Sequence, residues 1–599
     1  MEGLPSNIRS KVEEWLQWDQ NSSTRQEVEE LVAQKKHKVL EGLLLSRLVF
    51  GTAGLRARMG AGYSQLNDLV IIQTSQGLVK YLLEVEPDAA KRGIVIGHDS
   101  RHNSHRFARL AASAFLLGGV NVYLLGDICP TPFVPFTVKQ LGAAAGVMVT
   151  ASHNPKEDNG YKVYWSNSAQ IIPPHDSGIQ ESIEQHLQPW PGVWDTQAAE
   201  QHERLSDPLD RMAPLYYQAL ASSMLDVALN GTTPLRFTVT AMHGVGHRYM
   251  KEAFKACGFK DFVPVVEQME PDPDFPTVRF PNPEEGKSAL DLSFRAADAA
   301  DSSIILANDP DADRLALATK QDGAWKVFTG NEEGALLGWW TWQRHKQRSP
   351  HTPPEDVYMI ASTVSSKILR AIANKEGFNF IETLTGFKWM GNEAVKLLSE
   401  NKTVLFAFEE AIGFMAGVEV LDKDGVSAGV YMAELASHLH TKGLTLLQQL
   451  QIIYQMYGYH ASRNSYFICH DALKIKAIFE RIRNFSGPKT YPESVCGGKF
   501  AVSAVRDLTT GYDSSQADGR AMLPSSSSSQ MITFSFSNGC VVTLRTSGTE
   551  PKIKYYSEIC AKPEQSDWAA LEAELELLVS AVVEELLQPQ FNELIPKAD

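Results

Sequence analysis

Apolar and polar positions along the chain fall into blocks that repeat. The first fifty residues have helical spacing, with Trp15, Leu16 and Trp18 followed by a charged stretch from Glu27 to Lys38. Strands and helices then alternate. Ile94-Val95-Ile96-Gly97 is a short apolar run, Arg106 to Leu117 has helical spacing, Val122-Tyr123-Leu124-Leu125 is β-like, and Ala145 to Val149 is another buried run. Fully apolar strands separated by helices imply parallel α/β layers, with functional loops at the carboxyl ends of the strands.

The pattern restarts after a polar stretch around Gln188 to Pro208. Leu235 to Thr240 and Ser303 to Ala307 read as strands of a second unit; Val357 to Ile360 and Val404 to Phe408 belong to a third, from about Lys326. Beyond about Ala461 the character changes. Phe467, Met531 to Phe536 and Val541 to Leu544 look antiparallel, Trp568 to Leu587 has helical Leu/Val periodicity, and Ser525 to Ser529 is a solvated loop. The expectation is three α/β units and a smaller α+β unit, spanning 1–207, 208–324, 325–458 and 459–599.

Composition narrows the partners. At 599 residues the chain is long for one core, and 43% hydrophobic with 21% charged residues fits a globular protein. No apolar run reaches the roughly 18 residues that span a bilayer. The opening residues lack the basic and apolar regions of a signal peptide. Six scattered cysteines without CxxC spacing favour a reduced, cytoplasmic protein. A net charge of -15 argues against nucleic acid or an anionic membrane as partner, so an anionic substrate needs a locally built positive site. Charge and the lack of an extra apolar helix are compatible with a monomer.

The chemistry concentrates in strand-end loops. Thr150-Ala151-Ser152-His153-Asn154-Pro155 places a serine beside an imidazole, with Lys162 following in Asn159-Gly160-Tyr161-Lys162. A serine hydroxyl needs a base, a metal or a cation to act as nucleophile. Asn308-Asp309-Pro310-Asp311-Ala312-Asp313-Arg314 puts three carboxylates at alternating positions, which an extended backbone would direct to one side. Oxygen-only ligands select Mg²⁺ or Mn²⁺ over zinc. An EF-hand would need Gly and Glu where Arg314 and Lys320 stand. Arg314 can neutralise a carboxylate or contact a phosphoserine. Together the loops suggest a phosphorylated serine held against a divalent cation, hence phosphoryl transfer.

Two further clusters suit a phosphosugar. Thr385-Gly386-Phe387-Lys388-Trp389-Met390-Gly391 precedes Phe408-Glu409-Glu410, whose carboxylates suit vicinal hydroxyls, and Lys423 adds a cation. Arg545-Thr546-Ser547-Gly548-Thr549-Glu550-Pro551-Lys552-Ile553-Lys554 combines hydroxyls, a glycine and cations in one turn fit to grip phosphate. The G-x-S-x-G match at Gly425 to Gly429 follows a polar turn rather than a strand, against a nucleophile elbow. No Walker A pattern occurs, so nucleotide binding has no motif support.

In this order the loops resemble the α-D-phosphohexomutase superfamily across nearly the whole chain. Phe50-Gly51-Thr52-Ala53-Gly54-Leu55-Arg56, Asn159 to Trp165 and Gly386-Phe387-Lys388-Trp389 look like its phosphoglucomutase-2 branch, similar in function to phosphopentomutase. The resemblance implies four domains around a central cleft: three related mixed-sheet α/β domains and a C-terminal α+β domain. It implies a phosphoserine at Ser152 and one Mg²⁺ on Ser152, Asp309, Asp311 and Asp313. His153 and Lys162 match candidate acid/base groups, Arg56 and Arg101 cations near the serine, and Glu409 the sugar-hydroxyl acceptor. Arg545, Ser547, Gly548 and Thr549 match the distal phosphate site. The implied activity moves phosphate between C1 and the terminal hydroxyl of ribose, deoxyribose or glucose phosphates, primed by a sugar 1,6-bisphosphate. The alternative is a glucose-1,6-bisphosphate synthase using an acyl phosphate donor. One departure is informative: Ala411 stands two residues after Glu409, where hexomutases of this superfamily usually carry serine.

Overall fold

The computed structural model describes residues 4–51, 54–285, 287–527, 529–547 and 551–597, with only the backbone of 287–288. Residues 1–352 with 386–446 form one compact unit, and 353–385 with 447–599 a second.

The first unit opens with three helices, Ser6–Trp18, Ser22–Ala33 and His37–Leu44, which bury Ile8, Val12, Trp15, Val28 and Leu40 in a small core. A six-stranded mixed sheet follows, in the order Gly54–Arg58, Asp158–Trp165, Ala145–Val149, Ile94–His98, Val122–Leu124, Leu205–Ser206. Ile94–His98 lies parallel to both its neighbours, and Asp158–Trp165 runs antiparallel to both of its own. Ile94–His98 and Ala145–Val149 are buried along their whole length, as their unbroken apolar runs require of strands covered on both faces. Helices Asp68–Val85 and Ser104–Leu117 supply much of that cover; the second begins two residues before its apolar periodicity does.

A second mixed sheet runs Ala324–Val327, Ala316–Gln321, Ile304–Ala307, Phe237–Thr240, Val263–Pro264. The rest of this unit holds the antiparallel pair Thr403–Glu409 and Gly413–Ala416 and the helices Gly330–Arg348, Phe387–Ser399 and Gly425–Thr441. Gly330–Arg348 starts at a capping box between Thr329 and Glu332. The G-x-S-x-G segment is the first turn of the helix Gly425–Thr441: Asp424 caps the N–H groups of Val426 and Ser427, both at 3.0 Å, so Ser427 is no nucleophile elbow.

The second unit pairs Val357–Ser362 with Asn379–Thr383 in parallel and carries a large antiparallel sheet. That sheet runs Ser494–Val495, Phe500–Asp507, Met531–Phe536, Val541–Thr546, Lys552–Cys560, Ser465–Ile468, Ile595–Pro596. Its apolar face packs on Ala472–Arg483 and Trp568–Val582, the latter continuing as a single π-type turn over Val583–Leu587. The antiparallel character read beyond Ala461 is present.

Candidate active site

Ser152 lies just past the strand Ala145–Val149 with φ +55°, a left-handed conformation uncommon for a side-chain-bearing residue. Asp99 holds it there. One Asp99 oxygen accepts from Thr150 Oγ1 (2.6 Å), which itself accepts the Ser152 N–H (2.9 Å). The other accepts from the Arg101 N–H (3.0 Å) and Ser104 Oγ (2.5 Å). The buried Arg101 guanidinium donates to the carbonyls of Ser152 and Asn154 (both 2.6 Å), Pro155 (2.8 Å) and Asp158 (3.2 Å), and pairs with Asp99 at 3.3 Å. Arg101 therefore stands near the serine, as the resemblance implies. With its donors committed to the loop, it is a clamp. Arg56 donates to Asn154 Oδ1 at 3.2 Å, on the same loop.

Asp309, Asp311 and Asp313 follow the strand Ile304–Ala307, all fully buried, with one carboxylate oxygen of each within 4.8 Å of the others. They converge by a different route from the extended backbone expected. The loop curls: Ala312 sits at φ +52° and its N–H bonds the Asp309 carbonyl at 2.9 Å. Gly244 admits the curl, because a Cβ there would stand 2.2 Å from Pro310 Cα. The Arg314 N–H donates to Asp309 Oδ1 (3.0 Å).

The serine and aspartate loops meet. Ser152 Oγ donates to Asp309 Oδ2 at 2.9 Å, and His153 Nδ1 stands 3.2 Å from the same Oγ. Lys162 Nζ lies 2.8 Å from Asp311 Oδ2 and 2.9 Å from Asp313 Oδ2, while Lys423 Nζ reaches Asp313 Oδ2 at 3.2 Å. Arg314 is looser, 3.6 Å from Glu284 and 4.0 Å from Asp313. Burial and repulsion by Asp311 and Asp313 push the Asp309 carboxyl well above its ordinary range. Burial also opposes charge on Asp311, but Lys162 and the hydrogen bonds to it win and hold that carboxyl far below the usual range. Burial likewise works against the Lys162 ammonium, yet Asp311 and Asp313 outweigh it and keep the amine protonated.

The aspartates fit a divalent cation. Asp311 Oδ1 and Asp313 Oδ1 are buried without a hydrogen-bond partner, an arrangement costly for anionic oxygens unless a cation satisfies them. Thr131, Thr150, Asp99 and Asp422 were given no role by the sequence, although Thr150 opens the serine motif. Thr131 Oγ1 donates to Asp311 Oδ2 (2.6 Å), and Asp422 accepts from Tyr164 Oη (2.7 Å) and Gln170 Nε2 (2.6 Å), beside Lys423. The signal for Asp99 and Thr150 was their place at strand ends. Nothing local marked Thr131, and Asp422 stood out only as the neighbour of Lys423.

The sugar-type loop is also formed. Gly386, at φ +105°, lets its N–H donate to Glu409 Oε1, and Lys388 follows in the first turn of the helix Phe387–Ser399. Lys388 is 8% exposed, 5.1 Å from the Trp389 ring, and burial pushes its amine down to about 8. An amine near 10.4 when unfolded and near 8 when folded penalises the folded state fully below pH 8; the penalty disappears as pH rises to 10.4. At about 1.4 kcal/mol per pH unit, Lys388→Met is expected to stabilise the protein at pH 7 by on the order of 3 kcal/mol. Thermal unfolding should show the gain at pH 7 and little at pH 10.5.

In the second unit, Arg545 and Lys554 are directly opposed across the pair Val541–Thr546 and Lys552–Cys560. Directly opposed residues share a face, and two cations so placed repel unless an anion lies between them. Arg545 Nε donates to the Thr546 carbonyl (3.2 Å), and the Ser547 N–H to that of Lys552 (2.9 Å). Thr385 belongs to this unit as well, while Gly548 and Thr549 lie outside the described residues.

Comparison with known proteins agrees with this arrangement. Family models of phosphoglucomutase/phosphomannomutase α/β/α domains I, II and III match residues 47–189, 214–323 and 329–457. Over its full length the chain is 55% identical to phosphopentomutase of Homo sapiens, covering 98% of that protein. The chain belongs to the phosphoglucomutase/phosphomannomutase family. It is therefore an enzyme of the α-D-phosphohexomutase superfamily, a phosphosugar mutase by class. Glucose 1,6-bisphosphate synthase of Homo sapiens is 53% identical over 98% of this chain and 96% of its own, and phosphoribomutase of Saccharomyces cerevisiae 41% over 94% of each. The solved structure of parafusin, a phosphoglucomutase from Paramecium in an open form, shares the fold at 17% identity, with a TM-score of 0.64 over 91% of this chain and 96% of its own. The family architecture is three mixed α/β domains followed by the antiparallel C-terminal sheet domain seen here. Among the described residues no helix is long and apolar enough to cross a membrane.

Proposed function

We propose that the chain is a phosphopentomutase that also accepts hexose phosphates, carrying the phosphoryl group on Ser152. The observation behind this reading is the meeting of Ser152 Oγ with Asp309 Oδ2 at 2.9 Å and His153 Nδ1 at 3.2 Å, in a loop held rigid by Asp99 and Arg101.

In the first half-reaction a sugar hydroxyl attacks the phosphorus on Ser152. The bond from phosphorus to Ser152 Oγ breaks as the bond to the sugar oxygen forms. His153 takes the hydroxyl proton and returns it to the departing Ser152 Oγ beside it, whereas the Lys162 ammonium is engaged by two carboxylates. Mg²⁺ held by Asp309, Asp311 and Asp313 would offset negative charge on the phosphoryl oxygens. The product is a bisphosphorylated sugar, which turns end for end and returns its other phosphate to Ser152. Glu409, fixed by the Gly386 N–H, accepts from sugar hydroxyls, Lys388 and Lys423 supply cations near them, and Arg545 with Lys554 suits the phosphate that is not reacting. A trace of sugar 1,6-bisphosphate primes Ser152. The free state of all six cysteines fits a reducing compartment such as the cytosol.

Ala411 supports the pentose preference, because the missing hydroxyl removes one contact to a hexose. The test compares kcat/KM for ribose 1-phosphate and glucose 1-phosphate with Mg²⁺ and trace glucose 1,6-bisphosphate. A ribose preference is expected, and Ala411→Ser should shift it toward glucose by about 10-fold, the worth of one hydrogen bond. An unchanged ratio would remove Ala411 from the account. Poor turnover of both sugars, with bisphosphate made from an acyl phosphate donor, would establish the synthase reading that the 53% identity also favours.

A further inference from the structure

The second unit gathers a different set of metal-binding side chains. His460, in the short strand His460–Ser462, lies directly opposite Cys560 at the end of Lys552–Cys560. Opposed residues share a face of the sheet, and Glu558, two residues before Cys560, shares it too. One ligand atom from each, an imidazole nitrogen, a carboxylate oxygen and a thiol sulfur, lies within 4.8 Å of the others. The Cys560 Sγ is 3.8 Å from Glu558 Oε1.

Their surroundings are those of ligands already oriented. His460 is buried, and its Nδ1 stands 2.9 Å from the Gly458 carbonyl oxygen. A proton on Nδ1 donated there leaves the lone pair on Nε2, the usual support for a metal-bound histidine. Glu558 Oε1 accepts the Lys367 N–H at 2.8 Å, just before the helix Ile368–Glu376, which fixes the carboxylate. Its Oε2 is buried with no hydrogen-bond partner. Cys560 is exposed as a residue, while burial and the neighbouring Glu558 hold its thiol well above the usual range, so a metal ion has to displace that proton.

We propose that His460, Glu558 and Cys560 bind a zinc-class transition-metal ion, with water in the fourth position. Imidazole, thiolate and carboxylate together suit Zn²⁺, while the all-oxygen aspartate loop suits Mg²⁺. Binding removes the thiol proton: the S–H bond of Cys560 is replaced by a sulfur–metal bond and one proton leaves to solvent. Tetrahedral bonds of about 2.0 to 2.3 Å put ligand atoms roughly 3.3 to 3.8 Å apart. Closure on the ion therefore needs movements of about 1 Å, within reach of an exposed cysteine.

Co²⁺ is the probe, titrated into the full chain with Mg²⁺ in excess. A thiolate-to-cobalt charge-transfer absorption should saturate at about one ion per chain and vanish on addition of Zn²⁺. Cys560→Ser should abolish the band while keeping the wild-type unfolding temperature. Glu558→Gln should weaken Co²⁺ binding at least about tenfold. Absence of the band from the wild-type protein, or its survival in both Cys560→Ser and Cys560→Ala, would overturn the site. Because the readout is spectroscopic, the result stands apart from whether the chain is a pentose mutase.

Discussion

Ser152→Ala is expected to lower turnover by about four orders of magnitude or more, the scale on which enzymes lose a covalent nucleophile. The substitution removes one oxygen, with its bonds to Asp309 and His153, and leaves the scaffold of the loop in place. Thr150 Oγ1 still accepts the N–H of residue 152, and Arg101 still binds the carbonyls of residues 152, 154, 155 and 158. Stability should therefore change by only about 1 kcal/mol, the worth of the hydrogen bonds lost. Incubation with glucose 1,6-bisphosphate should add one phosphoryl mass to the wild-type protein and none to the variant. A variant retaining near wild-type turnover would refute Ser152 as carrier. Thermal unfolding separates the alternatives: loss of turnover at the wild-type unfolding temperature means a lost nucleophile, and loss of both means a collapsed site.

The loops that carry chemistry were legible because they follow apolar strands, where side chains collect at one end of a parallel sheet. Ser152, Asp309, Asp311 and Asp313 were each found by that rule. What the pattern could not convey was how the loops are held. Arg101 read only as a cation near the serine; a guanidinium's five donors can grip a ligand or satisfy a loop's carbonyls, and only the fold decides between them. The curl at Ala312 was hidden because alternating carboxylates read as extended chain, while the turn depends on Gly244, far away in sequence. Asp422 and Thr131 act through Tyr164, Gln170 and Asp311, at separations no local motif spans.

Lys162 and a divalent ion should compete for the same oxygens. The Lys162 ammonium occupies Asp311 Oδ2 and Asp313 Oδ2, leaving only the second oxygen of each carboxylate unpartnered. Lys162→Met removes the cation and leaves two buried carboxylates with less compensation, since Lys423 reaches only Asp313. Without divalent ions the variant should lose about 3 to 5 kcal/mol of stability, the usual result of breaking a buried ion pair from one side. Mg²⁺ should restore much of that loss, and bind the variant about tenfold or more tightly than it binds the wild-type protein, because no ammonium has to leave. Turnover should nevertheless fall by about 10² to 10⁴, since a cation beside the reacting serine is gone. Tighter metal binding with weaker catalysis is a pairing that mere damage to the fold does not produce. Unfolding temperatures with and without Mg²⁺, alongside calorimetric titration, check it. An equal Mg²⁺-induced shift in both proteins would show that Lys162 and the ion occupy separate places around the aspartates.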